Sequence, residues 1–192
     1  MGRLDGRVAI VTGGAKGIGA HYARALAAEG ARLMIADIAD GKEVAQSLAR
    51  EHGANSVASA ITDVSDEAAV KALVAETMER FGQIDILVNN AALFAPLQET
   101  KCMVIDTAVW DRVMAINLRG PFLMVKHVAP QMRARGYGKI INIGSGSIFH
   151  GIPWMLHYVT SKGGIVAMTR VQALELGEHG ILVNTLSPGL SP

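Results

Sequence analysis

Six short apolar runs punctuate the chain, the first five each followed by a segment of helical pattern, and this alternation constrains the fold most. Arg7–Val11 (RVAIV), Ala31–Ala36, Ser56–Ile61, Ile84–Val88 (IDILV), Lys139–Ile143 (KIINI) and Ile181–Leu186 are five or six residues long. Most do not alternate apolar with polar residues, as half-exposed strands do. Such runs must be covered on both faces, as parallel strands between helices are. Between them Ile18–Glu29, Gly41–His52, Ser65–Phe81, Thr107–Arg135 and Met155–Leu176 read as helix. The third carries Asp66 and Glu67 in its first turn, where the helix dipole favours negative charge. Repeated strand–helix–strand units imply right-handed crossovers. The pattern predicts one three-layer α/β/α domain over residues 1–192, built on a doubly wound parallel sheet; a chain of 192 residues has the length of a single domain.

Composition narrows the function classes. Half of the residues are hydrophobic and 18% are charged, which excludes a disordered charged chain unable to bury enough apolar surface. Net charge is +1, with nine basic and twelve acidic groups in residues 1–96 and nine and five in the remainder. That distribution supplies no clustered basic face for nucleic acid. The N-terminus lacks the apolar core of a signal peptide, and no apolar run approaches the roughly 18 residues of a spanning helix. A single cysteine, Cys102, excludes an internal disulfide or a thiolate zinc cage. The expectation is a soluble, cytoplasmic protein without a metal, without nucleic-acid or membrane partners.

The first run leads into Thr12-Gly13-Gly14-Ala15-Lys16-Gly17-Ile18-Gly19, where a helix begins at once. Glycines there let the backbone approach a pyrophosphate, and the helix N-terminus offers free N–H groups and a positive dipole end. Taken alone, such a turn also serves as an ordinary tight β–α connection. Asp37 ends the second run, 18 residues after Gly19, close to the offset at which a carboxylate accepts from the adenosine ribose hydroxyls. Its charge would repel the 2′-phosphate of NADP, which favours NAD, although Lys16 could reach that phosphate. A solvated strand-end Asp is the plainer alternative.

Further along, Tyr158-Val159-Thr160-Ser161-Lys162 places a phenol and an ammonium four residues apart, on one helix face. A phenol with a pKa near 10 is a weak base at neutral pH, and a nearby cation would favour its ionised form. Ser145 precedes Tyr158 by thirteen residues and follows the fifth run, at the strand end where open α/β sheets gather ligands.

With Asp63-Val64, Asn89-Asn90-Ala91, Asn117 and Pro188-Gly189, these motifs resemble the short-chain dehydrogenase/reductase family from Gly6 to Gly189. The resemblance implies a Rossmann-like fold and hydride transfer between NAD and a secondary alcohol or ketone. It assigns Tyr158 as general acid/base, Ser145 as hydrogen-bond partner of the reacting oxygen, and Lys162 as the residue that holds the nicotinamide ribose and biases Tyr158. Asn117 would hold a water linking Lys162 to solvent. Gly13, Lys16 and Ile18 would line the pyrophosphate, Asp37 the adenosine ribose, Asp63 and Val64 the adenine, Asn90 the neighbouring ribose region, and Pro188 the far side of the cofactor site. A homotetramer paired through the two long helices is also implied, with Gly163, Gly164, Ala167 and Ala173 permitting close approach.

The sequence departs from the pattern in placing Ala92 where glycine is usual, and Ser191 where a bulky aliphatic is common. Relatives continue with a lid, a helix and a seventh strand, so a C-terminally truncated form is expected. Phe94, Phe149, Trp154 and Met155 flank Ser145 and Tyr158 and read as an apolar substrate wall, or equally as core or an oligomer contact. His150 and His157 are expected at the surface or behind the site. An inactive nucleotide-binding scaffold is the competing functional reading.

Overall fold

The structure is a computed structural model that describes residues 2–95 and 97–189. Ser191, one of the departures above, lies outside the described residues. Six strands, β1 (Val8–Thr12), β2 (Arg32–Asp37), β3 (Val57–Ile61), β4 (Ile86–Asn89), β5 (Gly138–Ile143) and β6 (Ile181–Leu186), form one sheet in the order β3-β2-β1-β4-β5-β6. Every pairing is parallel. The chain starts in the middle, winds outward to β3, then returns to β4 and winds the other way. The loops after β1 and β4 therefore diverge, leaving a crevice at the carboxyl ends of adjacent strands.

Strand periodicity sorts side chains onto the two faces. Val8 and Ile10 of β1, Met34 of β2 and Leu87 of β4 join one core with α3 (Glu67–Phe81) and α5 (Gly120–Arg135). Ala9 and Val11, Leu33 and Ile35 face the other, against α1 (Gly17–Ala28) and α2 (Lys42–His52). The expected three layers are present. The remaining helices are α4 (Thr107–Met114), the short α6 (Ser147–His150) and α7 (Leu156–Gly177).

The single helix expected over Thr107–Arg135 is divided. A π-helical turn, Ala115–Arg119, joins α4 to α5. Pro121 explains the interruption: it has no N–H to give the carbonyl of Asn117, four residues earlier. Such turns concentrate at functional positions, and Asn117 lies inside this one. Strand β4 begins two residues later than the apolar run suggested, because Asp85 turns its buried carboxylate to the Val8 N–H (2.9 Å) and to Arg7 (3.2 Å).

Candidate active site

The glycine turn lies between β1 and α1 and is held from β4. The Thr12 hydroxyl donates to the Val88 carbonyl (3.3 Å) and accepts from the Asn90 and Ala91 N–H groups (3.0 and 3.1 Å). The Asn90 amide donates to the carbonyls of Thr12 (3.0 Å) and Gly13 (3.1 Å). Asn90, expected near a ribose, thus spends its side-chain donor on fixing the turn. A Cβ on Gly19 would stand 2.0 Å from the Gly13 carbonyl oxygen, and one on Gly13 would stand 2.8 Å from the Ala91 Cα. No larger residue fits either position.

The end of α1 that faces this turn is open. The Ala20 N–H bonds the Lys16 carbonyl at 3.3 Å, so the N–H groups of Gly17, Ile18 and Gly19 precede that bond, and Lys16 provides no side-chain cap. By contrast, α3 and α4 are capped by Asp66 and Asp106, which accept from Ala68 and Ala108 at 2.9 and 2.8 Å. With no acidic residue in its first turn, α1 presents unneutralised donors, and Ile18 is half exposed beside them. Asp37, buried at the end of β2, accepts from the Ala15 N–H and the Ala39 N–H, each at 3.0 Å. Its carboxylate is fixed against the turn. Asp63, beyond β3, is exposed and accepts from the Ser65 N–H (2.8 Å) and hydroxyl (2.6 Å), while Val64 is buried against Gly120.

Across the crevice, Ser145, Tyr158 and Lys162 come together. The Ser147 N–H donates to the Ser145 oxygen at 3.2 Å, leaving the Ser145 proton free to point elsewhere. Lys162 is 96% buried by position on α7 (4% exposed) and donates to the Ile143 carbonyl at 2.7 Å. Burial disfavours its charged form and lowers its pKa to about 8. Tyr158 behaves differently from the expectation that Lys162 favours its phenolate. Burial raises the Tyr158 pKa, opposed by hydrogen bonding with Ser145. The ammonium lies 5.8 Å from the phenol ring centre and is turned to Ile143.

Asn117 also differs in detail. Its side chain accepts from the Leu93 N–H (2.7 Å) and donates to the Leu93 carbonyl (3.2 Å) and the Ser161 hydroxyl (3.2 Å). Ser161 in turn donates to the Tyr158 carbonyl at 2.7 Å. The amide therefore ties the loop after β4 to the Tyr158 helix, and does not reach toward Lys162. Ser161 and Thr12 were not singled out in the sequence, although one separates Tyr158 from Lys162 and the other heads the glycine turn. Nor was Asn142, a buried strand residue that joins Asn89 of β4 (2.8 Å) to Thr169 of α7 (2.9 Å) and so anchors α7 to the sheet. Pro188 closes the group: its carbonyl accepts from the Gly146 N–H at 3.0 Å.

Of the proposed wall, Phe94 stacks on Tyr158 with ring centres 4.7 Å apart, whereas Met155 is buried core and His157 is buried rather than at the surface. Within the chain, Gly164 lies against Leu118 and Ala173 packs on the core, and both remain partly exposed.

This arrangement has close relatives. The chain matches the short chain dehydrogenase family over residues 7–191. It is 44% identical over 191 residues to a sorbitol dehydrogenase of Cereibacter sphaeroides, covering 98% of this chain and 72% of that one. Among solved structures it is similar to levodione reductase, with a TM-score of 0.91 and 39% identity over 97% of this chain and 72% of that one. It is equally similar to an NAD+-bound xylitol dehydrogenase, with a TM-score of 0.91 and 35% identity over 99% of this chain and 73% of that one. Fold, motif order and sequence converge, and the chain belongs to the short chain dehydrogenase family.

Proposed function

We propose that this chain catalyses NAD-linked interconversion of a secondary alcohol and its ketone, with Tyr158 as general acid/base. The observation that carries this reading is the convergence of Ser145, Tyr158 and Lys162 beside an uncapped helix N-terminus on a glycine turn with no room for a Cβ. That cradle suits a pyrophosphate, since it offers free N–H donors and close backbone approach. Gly13, Lys16 and Ile18 would hold the pyrophosphate, Asp37 the adenosine ribose, and Asp63 and Val64 the adenine. Lys162 would hold the second ribose; Asn90 keeps the turn in shape beside it, and Pro188 the loop on the other side. When bound, the nicotinamide supplies the hydride acceptor or donor.

The chain's own residues manage the oxygen and its proton. Because the Ser145 oxygen already accepts from Ser147, its hydroxyl is free to donate to the substrate oxygen. Tyr158, a phenol protonated at neutral pH whose pKa burial raises further, can donate to a ketone oxygen directly. In the oxidative direction it must first lose that proton, then accept the one on the alcohol oxygen, so oxidation is favoured by alkaline conditions. Asn117 sets the approach of Tyr158 through Ser161, and a water held by Asn117 would link Lys162 to solvent.

NAD is preferred over NADP in this reading because the Asp37 carboxylate is immobilised by Ala15 and Ala39 and cannot turn away from a 2′-phosphate. The assembly is a homotetramer. A groove of about 890 Å3 on the outer face of α5 and α7, lined by Phe122, Ala129, Met168, Val171 and Leu176, contains none of the site residues and suits a second copy. A panel of secondary alcohols with NAD at alkaline pH tests the activity: formation of reduced cofactor supports it, and none with any alcohol despite NAD binding supports the scaffold reading instead.

A further inference from the structure

We propose that the substrate is an uncharged, ring-bearing secondary alcohol or cyclic ketone, with Phe94 as its specificity-determining contact; this rests on the oxidoreductase reading above. The Phe94 ring lies 4.7 Å from that of Tyr158 at an interplanar angle of 45° and remains 48% exposed. One face packs on the reacting phenol and the rest is open beside it. Phe94 does not sit on a loose segment, because both backbone groups of its neighbour Leu93 are bonded to the buried Asn117 amide.

Two further exposed aromatics lie on the neighbouring segments. Phe149 on α6, four residues after Ser145, is 81% exposed, and Trp154, four residues before Tyr158, is 52% exposed. Trp154 has φ +67°, a conformation rare for a bulky side chain and costing on the order of 1–3 kcal/mol. Its carbonyl accepts from the Thr100 N–H at 2.9 Å, which fastens the loop before α7 to the loop that carries Phe94. Three of the chain's six Phe and Trp residues, Phe94, Phe149 and Trp154, are thus exposed on segments adjoining Ser145 and Tyr158.

The polar groups nearby argue the same way. An open-chain polyol needs a donor or acceptor for each hydroxyl, or its desolvation goes uncompensated. The amides of Asn90 and Asn117 are already bonded to Thr12, Gly13, Leu93 and Ser161, and the Thr100 hydroxyl donates to Gln98. His157 is buried, its ring accepting from the Tyr158 N–H. Among the described residues Ser145 and Tyr158 suffice for one oxygen, and the exposed aromatics Phe94, Phe149 and Trp154 on the flanking segments would face the remainder of the molecule. That is the composition of a site for an apolar ring bearing one polar group.

Saturation-transfer NMR on the whole chain, with and without NAD, tests this using 1-indanol and sorbitol as probes. The expected result is 1-indanol binding at least about tenfold more tightly than sorbitol, weakened about tenfold by Phe94→Asn and much less by Phe94→Leu, which keeps an apolar side chain of similar volume. Sorbitol binding as tight as 1-indanol, equal effects of the two substitutions, or binding of neither alcohol overturns the proposal. Saturation transfer to NAD is read separately: its absence counts against the oxidoreductase reading, while the alcohol comparison on the protein alone still decides the wall.

Discussion

Replacing Lys162 with methionine isolates the cost of burying an ammonium behind the site. The amine is 4% exposed and its pKa falls from 10.5 to about 8 through desolvation. In the folded state the proton is therefore released earlier than in the unfolded chain. Between pH 8 and 10.5 the unfolded state binds more protons, so stability rises with pH across that window. The full shift corresponds to about 3 kcal/mol, most of which is recovered between pH 7 and 10. Methionine carries no titrating group, and other titrations are common to both proteins, so the stability difference between wild type and Lys162→Met isolates this residue. Urea unfolding of both, from pH 7 to 10, should show wild type gaining about 2–3 kcal/mol on the variant, equivalent to roughly 5–10 °C in Tm for a domain of this size. Loss of the bond to Ile143 offsets every point of the curve alike and does not change its slope. A difference flat from pH 7 to 10 would refute the reasoning, because it would place Lys162 in contact with water.

Other substitutions test the cradle and the surfaces around it. Gly19→Ala drives a Cβ into the Gly13 carbonyl, so it should abolish NAD binding and cost about 1–3 kcal/mol of stability, measured by titration and thermal melting. Wild type should bind NAD at least about tenfold more tightly than NADP, a difference of about 1.4 kcal/mol. Asp37→Ala should erase most of that preference; equal affinities in wild type would remove Asp37 from the cofactor site. Val171→Glu with Leu174→Glu, both exposed on α7, should halve the light-scattering mass from four chains to two, since a tetramer keeps its second contact, whereas an unchanged mass would place this subunit contact elsewhere.

The layers and the doubly wound parallel sheet were legible because buried parallel strands leave uninterrupted apolar runs, and the glycine turn because two of its residues can carry no Cβ, whereas the strand order came only with the fold. What the sequence hid was of two kinds. The break inside Thr107–Arg135 depends on Pro121 meeting the carbonyl of Asn117, a clash that helical periodicity does not register. The second kind concerns polar side chains whose partners are remote in sequence. Asn90, Asn117 and Asn142 were placed correctly near the crevice, or passed over as strand, yet each is committed to a partner that only the folded chain supplies. The same holds for Tyr158. Its i, i+4 spacing from Lys162 suggested a lowered pKa, but the ammonium turns to Ile143 and burial dominates. Met155, read equally as pocket wall, core or oligomer contact, is core, and His157, read as surface or behind the site, is buried in the first turn of α7.

The central claim is that Tyr158 moves the proton on the substrate oxygen, and the most direct measurement is the turnover of Tyr158→Phe across pH with NAD affinity measured in parallel. The substitution keeps the ring and its contact with Phe94 and removes only the hydroxyl. Alcohol oxidation by wild type should rise with pH, since the phenol is protonated at neutrality and burial raises its pKa further. In Tyr158→Phe, kcat should fall by about 100-fold or more and lose that rise, while NAD binds as before. Near-normal turnover with an unchanged pH profile would contradict the account, however closely the fold matches its relatives.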